Sequence, residues 1–253
     1  MKADFHAAFV IHTRPFRNTS QIIELFTRDV GLVSVVARGS TRAGAKGRSP
    51  LATQLQQFTP LQISWSGRSE LKTLTKVEAT GRAHRLVGRR LICGLYLNEL
   101  LIKLLHHGDP HSTLFDRYSL LLAELVIENE AQLLRIFELQ LLEEVGFGFD
   151  LNYDIAGDLI EAEYSYCYYP EDGLARVKQS SDINPSALQI SGTTLKVLRQ
   201  LLGQSNFASN IESLPRADQE LSVKLQQEAK QLLRAALDYH LPSEVQSRKL
   251  LQR

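Results

Sequence analysis

The hydrophobic pattern of this chain changes its period at Gly81, and that change constrains the fold more than any other feature of the sequence. Before Gly81, apolar and polar residues alternate in short runs separated by turn residues, as in β-strands. After Gly81, leucines recur every three or four residues, as on the buried stripe of an α-helix. The sequence therefore predicts two domains, an all-β domain over residues 1–80 and a mainly helical domain over residues 81–253.

The first domain is predicted to contain five short strands. A long loop rich in glycine, serine and arginine separates the third strand from the fourth. This arrangement is typical of a small barrel of the OB type, and an SH3-like barrel fits the alternation almost as well. The predicted strands cover residues 5–11, 22–26, 32–37, 61–65 and 71–77.

The second domain is predicted to be a helical bundle with one small β-hairpin. The turn sequence PEDG at 170–173 places the hairpin at about 160–180. Ser191 is a predicted N-cap for the helix that follows it, and Asp109 for the helix that begins with Pro110. The fold class is thus α+β, with an OB-type barrel followed by helices. The predicted helices cover residues 91–105, 109–126, 133–145, 195–202 and 217–241.

The charges of the chain are strongly polarised, although they nearly cancel in total. Residues 1–80 hold 11 Lys/Arg against 5 Asp/Glu, whereas residues 111–180 hold 4 against 14. No carboxylate occurs over residues 30–69, which carry five cations. A positive surface binds a polyanion by releasing its counterions, and acidic regions keep the rest of the protein away from it. Nucleic acid is therefore the first partner to consider.

The basic surface of the barrel is the strongest candidate site, with a solvated charged loop as the alternative interpretation. Arg14 and Arg17 flank Phe16, whose ring either stacks on an unpaired base or plugs the barrel. Trp65 is interpreted first as core and second as a stacking platform. The cations predicted to contact DNA are Arg14, Arg17, Arg38, Arg42, Lys46, Arg48, Arg68 and Lys72.

Several segments resemble the RecO family of bacterial recombination mediators, and they occur in the family's order from residue 7 to about residue 150. Weaker similarity continues beyond them. The segments that carry the resemblance are FVIHTRPF at 9–16, TS at 19–20, FT at 26–27, VVARG at 35–39, QFTPL at 57–61, GLYLNELL at 94–101, RIFEL at 135–139 and GFG at 146–148.

The resemblance implies an OB-fold that binds single- and double-stranded DNA, and a helical domain. It also implies partnership with RecR and with the acidic C-terminal tail of single-stranded-DNA-binding protein. Members of the family help to load RecA onto coated strands and anneal complementary strands. Many carry a four-cysteine zinc finger, but Cys167 alone cannot hold zinc, which needs about four ligands. A metal-free hairpin is therefore expected at 160–180, and no cofactor is expected.

Arg135 is the candidate for binding the partner's tail. It lies between apolar residues, and an arginine beside an apolar groove suits a peptide that ends in a hydrophobic residue with a free carboxylate. The resemblance points the same way. The alternatives are a salt bridge of Arg135 with Glu138 or Glu128, and plain core packing for the proposed groove wall. The predicted peptide site comprises Arg135, Phe115, Tyr118 and Leu122.

No enzyme is predicted, because the sequence has no phosphate-binding loop, GxGxxG, nucleophile elbow or HExxH. The histidines near Asp109 are interpreted as part of a helix end rather than as a metal site. No apolar run approaches the ~18 to 20 residues of a membrane span. Neither a membrane nor a small-molecule substrate is expected as a partner, and the expected location is the cytoplasm, with association to the nucleoid.

The predicted function is therefore that of a mediator of DNA repair and homologous recombination. Such a protein binds both forms of DNA, anneals strands and, with RecR, promotes RecA loading onto strands coated by single-stranded-DNA-binding protein. Two alternatives remain open. One is an OB-fold RNA-binding protein, which would contact the 2′-hydroxyl. The other is an assembly scaffold that does not bind DNA.

Overall fold

The chain divides into two compact units in the computed structural model. The first unit comprises Met1–Ile127 and Val245–Arg253, and the second comprises Glu128–Glu244. None of the described helices is long and apolar enough to cross a membrane. The structure describes residues 4–40, 50–126, 130–178, 187–203 and 219–251.

The described residues contain eight strands and seven helices. The strands are β1 (His6–Phe16), β2 (Ser20–Thr27), β3 (Gly31–Ala37), β4 (Leu61–Ser66), β5 (Lys72–Ala79), β6 (Ser165–Tyr169), β7 (Gly173–Arg176) and β8 (Leu188–Ser191). The helices are α1 (Pro50–Gln54), α2 (Arg89–Leu104), α3 (Ser112–Glu124), α4 (Glu130–Glu144), α5 (Gly192–Gly203), α6 (Gln219–His240) and α7 (Ser247–Leu251).

The first five strands form a closed barrel in the order β1-β2-β3-β5-β4, and β1 closes it by pairing with β4. All neighbours are antiparallel except β3 and β5, which are parallel. Their inward-facing side chains form one apolar core that includes Val10, Ile23, Leu25, Val35 and Ile63. The structure confirms the predicted OB-type barrel.

Strand β1 contains a β-bulge, and it pairs with β4 over its first residues and with β2 from Ala8 onward. The register against β2 shifts between Val10 and His12. The carbonyl of Ile11 accepts hydrogen bonds from the side chains of Asn98, at 3.1 Å, and Gln57, at 2.8 Å. Asn98 of α2 and Gln57 therefore supply hydrogen bonds to a carbonyl that the bulge removes from the strand ladder.

Helices α2, α3 and α7 belong to the same unit as the barrel. Phe9 and Phe26 of the barrel pack on Phe115 and Tyr118 of α3, with ring centroids 5.3 to 6.0 Å apart. Helix α3 begins at Ser112 with His111 at its N-cap, so that the predicted start at Pro110 and the predicted cap Asp109 are wrong. The reason is that the chain just before it runs along β3, where the N–H of Gly108 donates to the carbonyl of Leu32 at 3.1 Å.

The second unit combines helices α4, α5 and α6 with a three-stranded sheet in the order β7-β6-β8. The predicted hairpin is present as β6 and β7, and β8 adds a strand that the sequence analysis missed. The hydroxyl of Ser191 accepts the N–H of Thr194 at 3.3 Å, which confirms Ser191 as the cap of α5. Cys167, which is buried, lies in the middle of β6.

Candidate nucleic-acid interface

A groove of about 550 Å³ lies on the barrel beside β3. Its sides are the first half of β3, the loop between β4 and β5, and the two residues His107 and Gly108 after α2. We name it the barrel groove. In OB-folds, the face of strands 2 and 3, with the loops that join strands 1 to 2 and 4 to 5, binds oligonucleotides. The barrel groove contains both β3 and the second of these loops.

The barrel groove exists because β3 and β5 pair over only two positions. Val35 pairs with Lys72 and Val36 with Thr73, so that the first half of β3 is open toward the β4–β5 loop. The chain after α2 approaches β3 closely at Gly31, where an added Cβ would lie 1.8 Å from the carbonyl oxygen of Asp109. Gly31 also has a φ of +73°, which favours glycine.

Three of the predicted DNA-binding cations line the barrel groove together. Arg14 and Arg68 are exposed, and Lys72 is half-buried with its Nζ donating to the carbonyl of Ser69 at 3.2 Å. No ion pair joins any of the three to a described residue. Glu70 is the carboxylate among the lining residues. The groove is therefore positive, and its cations are available to an external anion.

Arg17 and Arg38 lie at one end of the barrel. Gln21 pairs with Ala37, so that the turn between β1 and β2 and the end of β3 are neighbours. Arg17 occupies this turn with a φ of +55°, and its guanidinium lies 5.2 Å from the ring centroid of Phe16, which is half-buried. Arg38 is exposed directly after β3. The remaining predicted cations, Arg42, Lys46 and Arg48, lie outside the described residues.

A polar cluster at the edge of the barrel groove was not predicted. The hydroxyl of Ser34 donates to the Glu24 carboxylate at 2.6 Å, and Nε2 of His107 lies 3.3 Å from the same Glu24 oxygen. Glu24 is mostly buried beneath these two residues. The alternation of β2 and β3 identifies Glu24 and Ser34 as a cross-strand pair, but no local pattern brings His107 to them.

Trp65 packs against the barrel core and stacks on His6, with ring centroids 4.5 Å apart. This agrees with its first interpretation as a core residue. Among the described residues, no group of three His, Cys, Asp or Glu side chains is placed to hold a metal ion. His111 lies 3.7 Å from Asp109 at the start of α3.

The residues of the predicted peptide site are all largely buried. Nη2 of Arg135 donates to the carboxylate of Glu138 at 2.8 Å, so that the salt bridge considered for Arg135 is present. Its Nη1 is buried and has no hydrogen-bond partner among the described residues. Phe115, Tyr118 and Leu122 belong to the core of the first unit, whereas Arg135 belongs to the second.

Comparison with known proteins places the chain in one family along nearly its whole length. The family models described as Recombination protein O N terminal and Recombination protein O C terminal match residues 3–82 and 85–249. The chain is 37% identical to DNA repair protein RecO of Halorhodospira halophila over 234 residues, which are 92% of this chain and 90% of that protein.

Two further relatives carry the same name. DNA repair protein RecO of Dechloromonas aromatica is 37% identical over 257 residues, covering 99% of this chain and 96% of its own length. That of Nitrosospira multiformis is 44% identical over 190 residues, covering 74% of this chain and 76% of its own length. The chain belongs to the RecO family of DNA repair and recombination proteins.

Proposed function

We propose that this protein is a non-catalytic recombination mediator that binds single- and double-stranded DNA through the barrel groove. It anneals complementary strands and, with RecR, promotes RecA loading onto strands coated by single-stranded-DNA-binding protein. The main support for the proposal is that three cations, Arg14, Arg68 and Lys72, line one groove without ion pairs to described residues.

The barrel groove acts mainly on phosphates. Each cation that contacts a phosphate releases condensed counterions, which supplies affinity without regard to base sequence. Arg17 and Phe16 lie at one end of the barrel, where the half-buried ring can stack on a base. Neutralised phosphates repel a second strand less, and this favours annealing without covalent chemistry or nucleotide hydrolysis.

Arg135 supports the proposed binding of the partner's acidic tail. Its Nη1 is buried without a partner among the described residues, and such a group carries an uncompensated desolvation cost. A terminal carboxylate that enters beside α4 would accept this N–H while Nη2 keeps its bond to Glu138. The peptide site is therefore centred on Arg135.

Salt-dependent binding of labelled oligomers tests the proposed DNA site. We expect the variant R14A/R68A/K72A to lose affinity for single- and double-stranded DNA and to anneal strands slowly. The charge-matched control is K178A/K196A/R199A, which removes three cations from the second unit. Equal loss in both variants, or preference for RNA over matched DNA, would contradict the proposal.

A second experiment tests the tail-binding site. A peptide that ends in Asp-Asp-Ile-Pro-Phe with a free carboxylate should bind the wild type, and the same peptide with a C-terminal amide should bind weakly. R135A should bind both peptides as weakly as the wild type binds the amide peptide, whereas general damage would abolish the binding of both. If R135A still prefers the free carboxylate, Arg135 is not the contact.

A further inference from the structure

A second basic surface lies outside the barrel groove, on residues 80–88, which join β5 to α2. We name this segment the linker arm. Arg82 and Arg85 are exposed on it, and exposed Arg89 opens α2. Neither Arg82 nor Arg85 forms an ion pair with a described residue. No carboxylate occurs over residues 79–98. The linker arm therefore presents positive charge that the protein itself does not neutralise.

The linker arm is held in place although it has no regular secondary structure. The N–H of His84 donates to the carbonyl of Phe58 at 2.9 Å. Leu86 is only 7% exposed and packs against α2, where a Cβ on Gly94 would lie 2.7 Å from its Cδ1 and 2.8 Å from the Phe58 ring. Backbone hydrogen bonding and Leu86 thus anchor the arm, and its arginines are not needed for that.

Arg89 is a cation at the N-terminal end of α2, where the helix dipole disfavours positive charge. The first turn of α2 contains no acidic residue, and the N-terminal end of a helix dipole favours anions over cations. Gly88 supplies no side-chain cap there. The helix dipole therefore favours an anion at this end of α2.

The linker arm and the barrel groove lie at opposite ends of α2. The arm leads into Arg89, and the groove includes His107 and Gly108, just after Leu104. A helix of 16 residues is roughly 24 Å long. This separation exceeds the Debye length of about 10 Å at 0.1 M salt, so that polyanions bound at the two surfaces repel each other weakly.

We propose that the linker arm is a second phosphate-binding surface, which holds a second nucleic-acid strand while the barrel groove holds the first. Arg82 and Arg85 are three residues apart, a span of at most ~10 Å, which allows the two side chains to contact neighbouring phosphates. The inference rests on the proposed DNA binding of the barrel groove and adds to it the place of the complementary strand.

Binding stoichiometry and annealing rate test the inference. The probe is a labelled single strand of about eight nucleotides, within the site size of an OB-fold, titrated at protein concentrations above Kd. We expect two oligomers per wild-type chain and one per R82A/R85A chain. That variant should anneal complementary strands ~10-fold more slowly. It should keep its affinity for the first strand, because the two lost cations contact the second strand only. Each lost contact should lower the log-log salt slope of second-strand binding by about 0.7.

Control variants separate an effect of the linker arm from an effect of net charge. The charge-matched variant K178A/K196A should bind two oligomers, and R82Q/R85Q should behave like R82A/R85A if charge is the cause. Wild type that binds one oligomer, or R82A/R85A that binds two and anneals normally, would overturn the inference. If the linker arm fails these tests, loss of DNA binding in R14A/R68A/K72A would still support the proposed function. A wild-type protein that binds no DNA would contradict both the proposed function and the second site.

Discussion

The barrel groove and helix α4 both carry arginines, but in opposite surroundings. Arg14 and Arg68 are exposed and form no ion pair with a described residue. The side chain of Arg135 is 13% exposed and bonds Glu138, which is fully buried. A solvated cation costs the fold almost nothing, whereas a buried charge is tolerated only with compensating partners. Loss of a groove cation should therefore affect ligands alone, and loss of Arg135 should affect folding as well.

The largest expected effect is the loss of DNA affinity in R14A/R68A/K72A. Each phosphate contact with a single strand contributes about 0.7 to the log-log salt slope, so that three contacts amount to roughly 100-fold in affinity at 0.1 M salt and about 2 in slope. The free energy of unfolding should change by less than about 0.5 kcal/mol for each substitution, because Arg14 and Arg68 are exposed and Lys72 loses a single exposed hydrogen bond. Anisotropy at several salt concentrations and urea unfolding measure the two quantities. A parallel loss of stability would show that the groove cations also stabilise the fold.

Arg135→Ala should instead destabilise the protein. It removes a charge-assisted hydrogen bond at 2.8 Å from a fully buried carboxylate, which should lower the free energy of unfolding by about 1.5 to 3 kcal/mol. Urea unfolding measures this change. In R135A/E138Q the carboxylate charge is also gone, and we expect part of the stability to return. A single variant as stable as wild type would show that Arg135 is not structural.

Glu228 is a half-buried carboxylate of the second unit that, like Arg135, is held by hydrogen bonds to other side chains. It accepts hydrogen bonds from the N–H and hydroxyl of Ser191 and from the hydroxyl of Thr194, at 3.1, 2.5 and 2.5 Å. Burial alone raises the pKa of Glu228, but the bonds from Ser191 and Thr194, with Lys224 nearby, outweigh it and lower the pKa. The charged form of Glu228 is therefore favoured by folding.

The pH dependence of stability follows from that direction. Because the folded pKa lies below the unfolded one, the stabilisation is present above the unfolded pKa and is lost as pH falls through the folded pKa. Glu228→Gln should lower the free energy of unfolding by about 1 to 2 kcal/mol near neutral pH and by clearly less near pH 3. Urea unfolding of both proteins at several pH values measures the difference. An equal difference at every pH would rule out the carboxylate charge as its source.

The barrel was predictable from sequence because alternation and turn residues are local signals. The barrel groove was not, since the two-residue pairing of β3 with β5 and the approach of Asp109 to Gly31 join distant segments. Strand β8 was missed because its four residues directly precede a helix. Burial of Glu138 could not be foreseen either, because a carboxylate on an amphipathic helix ordinarily faces solvent.

The packing of α2 and α3 with the barrel could not be predicted from local sequence patterns either. The period of the sequence changes at Gly81, and the two family models also meet there, at residues 82 and 85. The compact unit nevertheless runs on to residue 127, because Phe115 and Tyr118 pack on aromatic residues of the barrel. No local pattern encodes which surface an amphipathic helix covers.

The smallest expected effect belongs to Arg28, a barrel cation outside the groove. Its Nε and Nη2 donate to both carboxylate oxygens of Asp116, at 2.9 and 2.8 Å, so that its charge is already matched. Arg28→Ala should change DNA affinity by less than about twofold, whereas each single groove substitution should cost about fivefold at 0.1 M salt. Anisotropy with the same oligomer measures both. If Arg28→Ala weakens binding as much as Arg68→Ala does, affinity follows the net charge of the barrel rather than the unpaired cations of one groove.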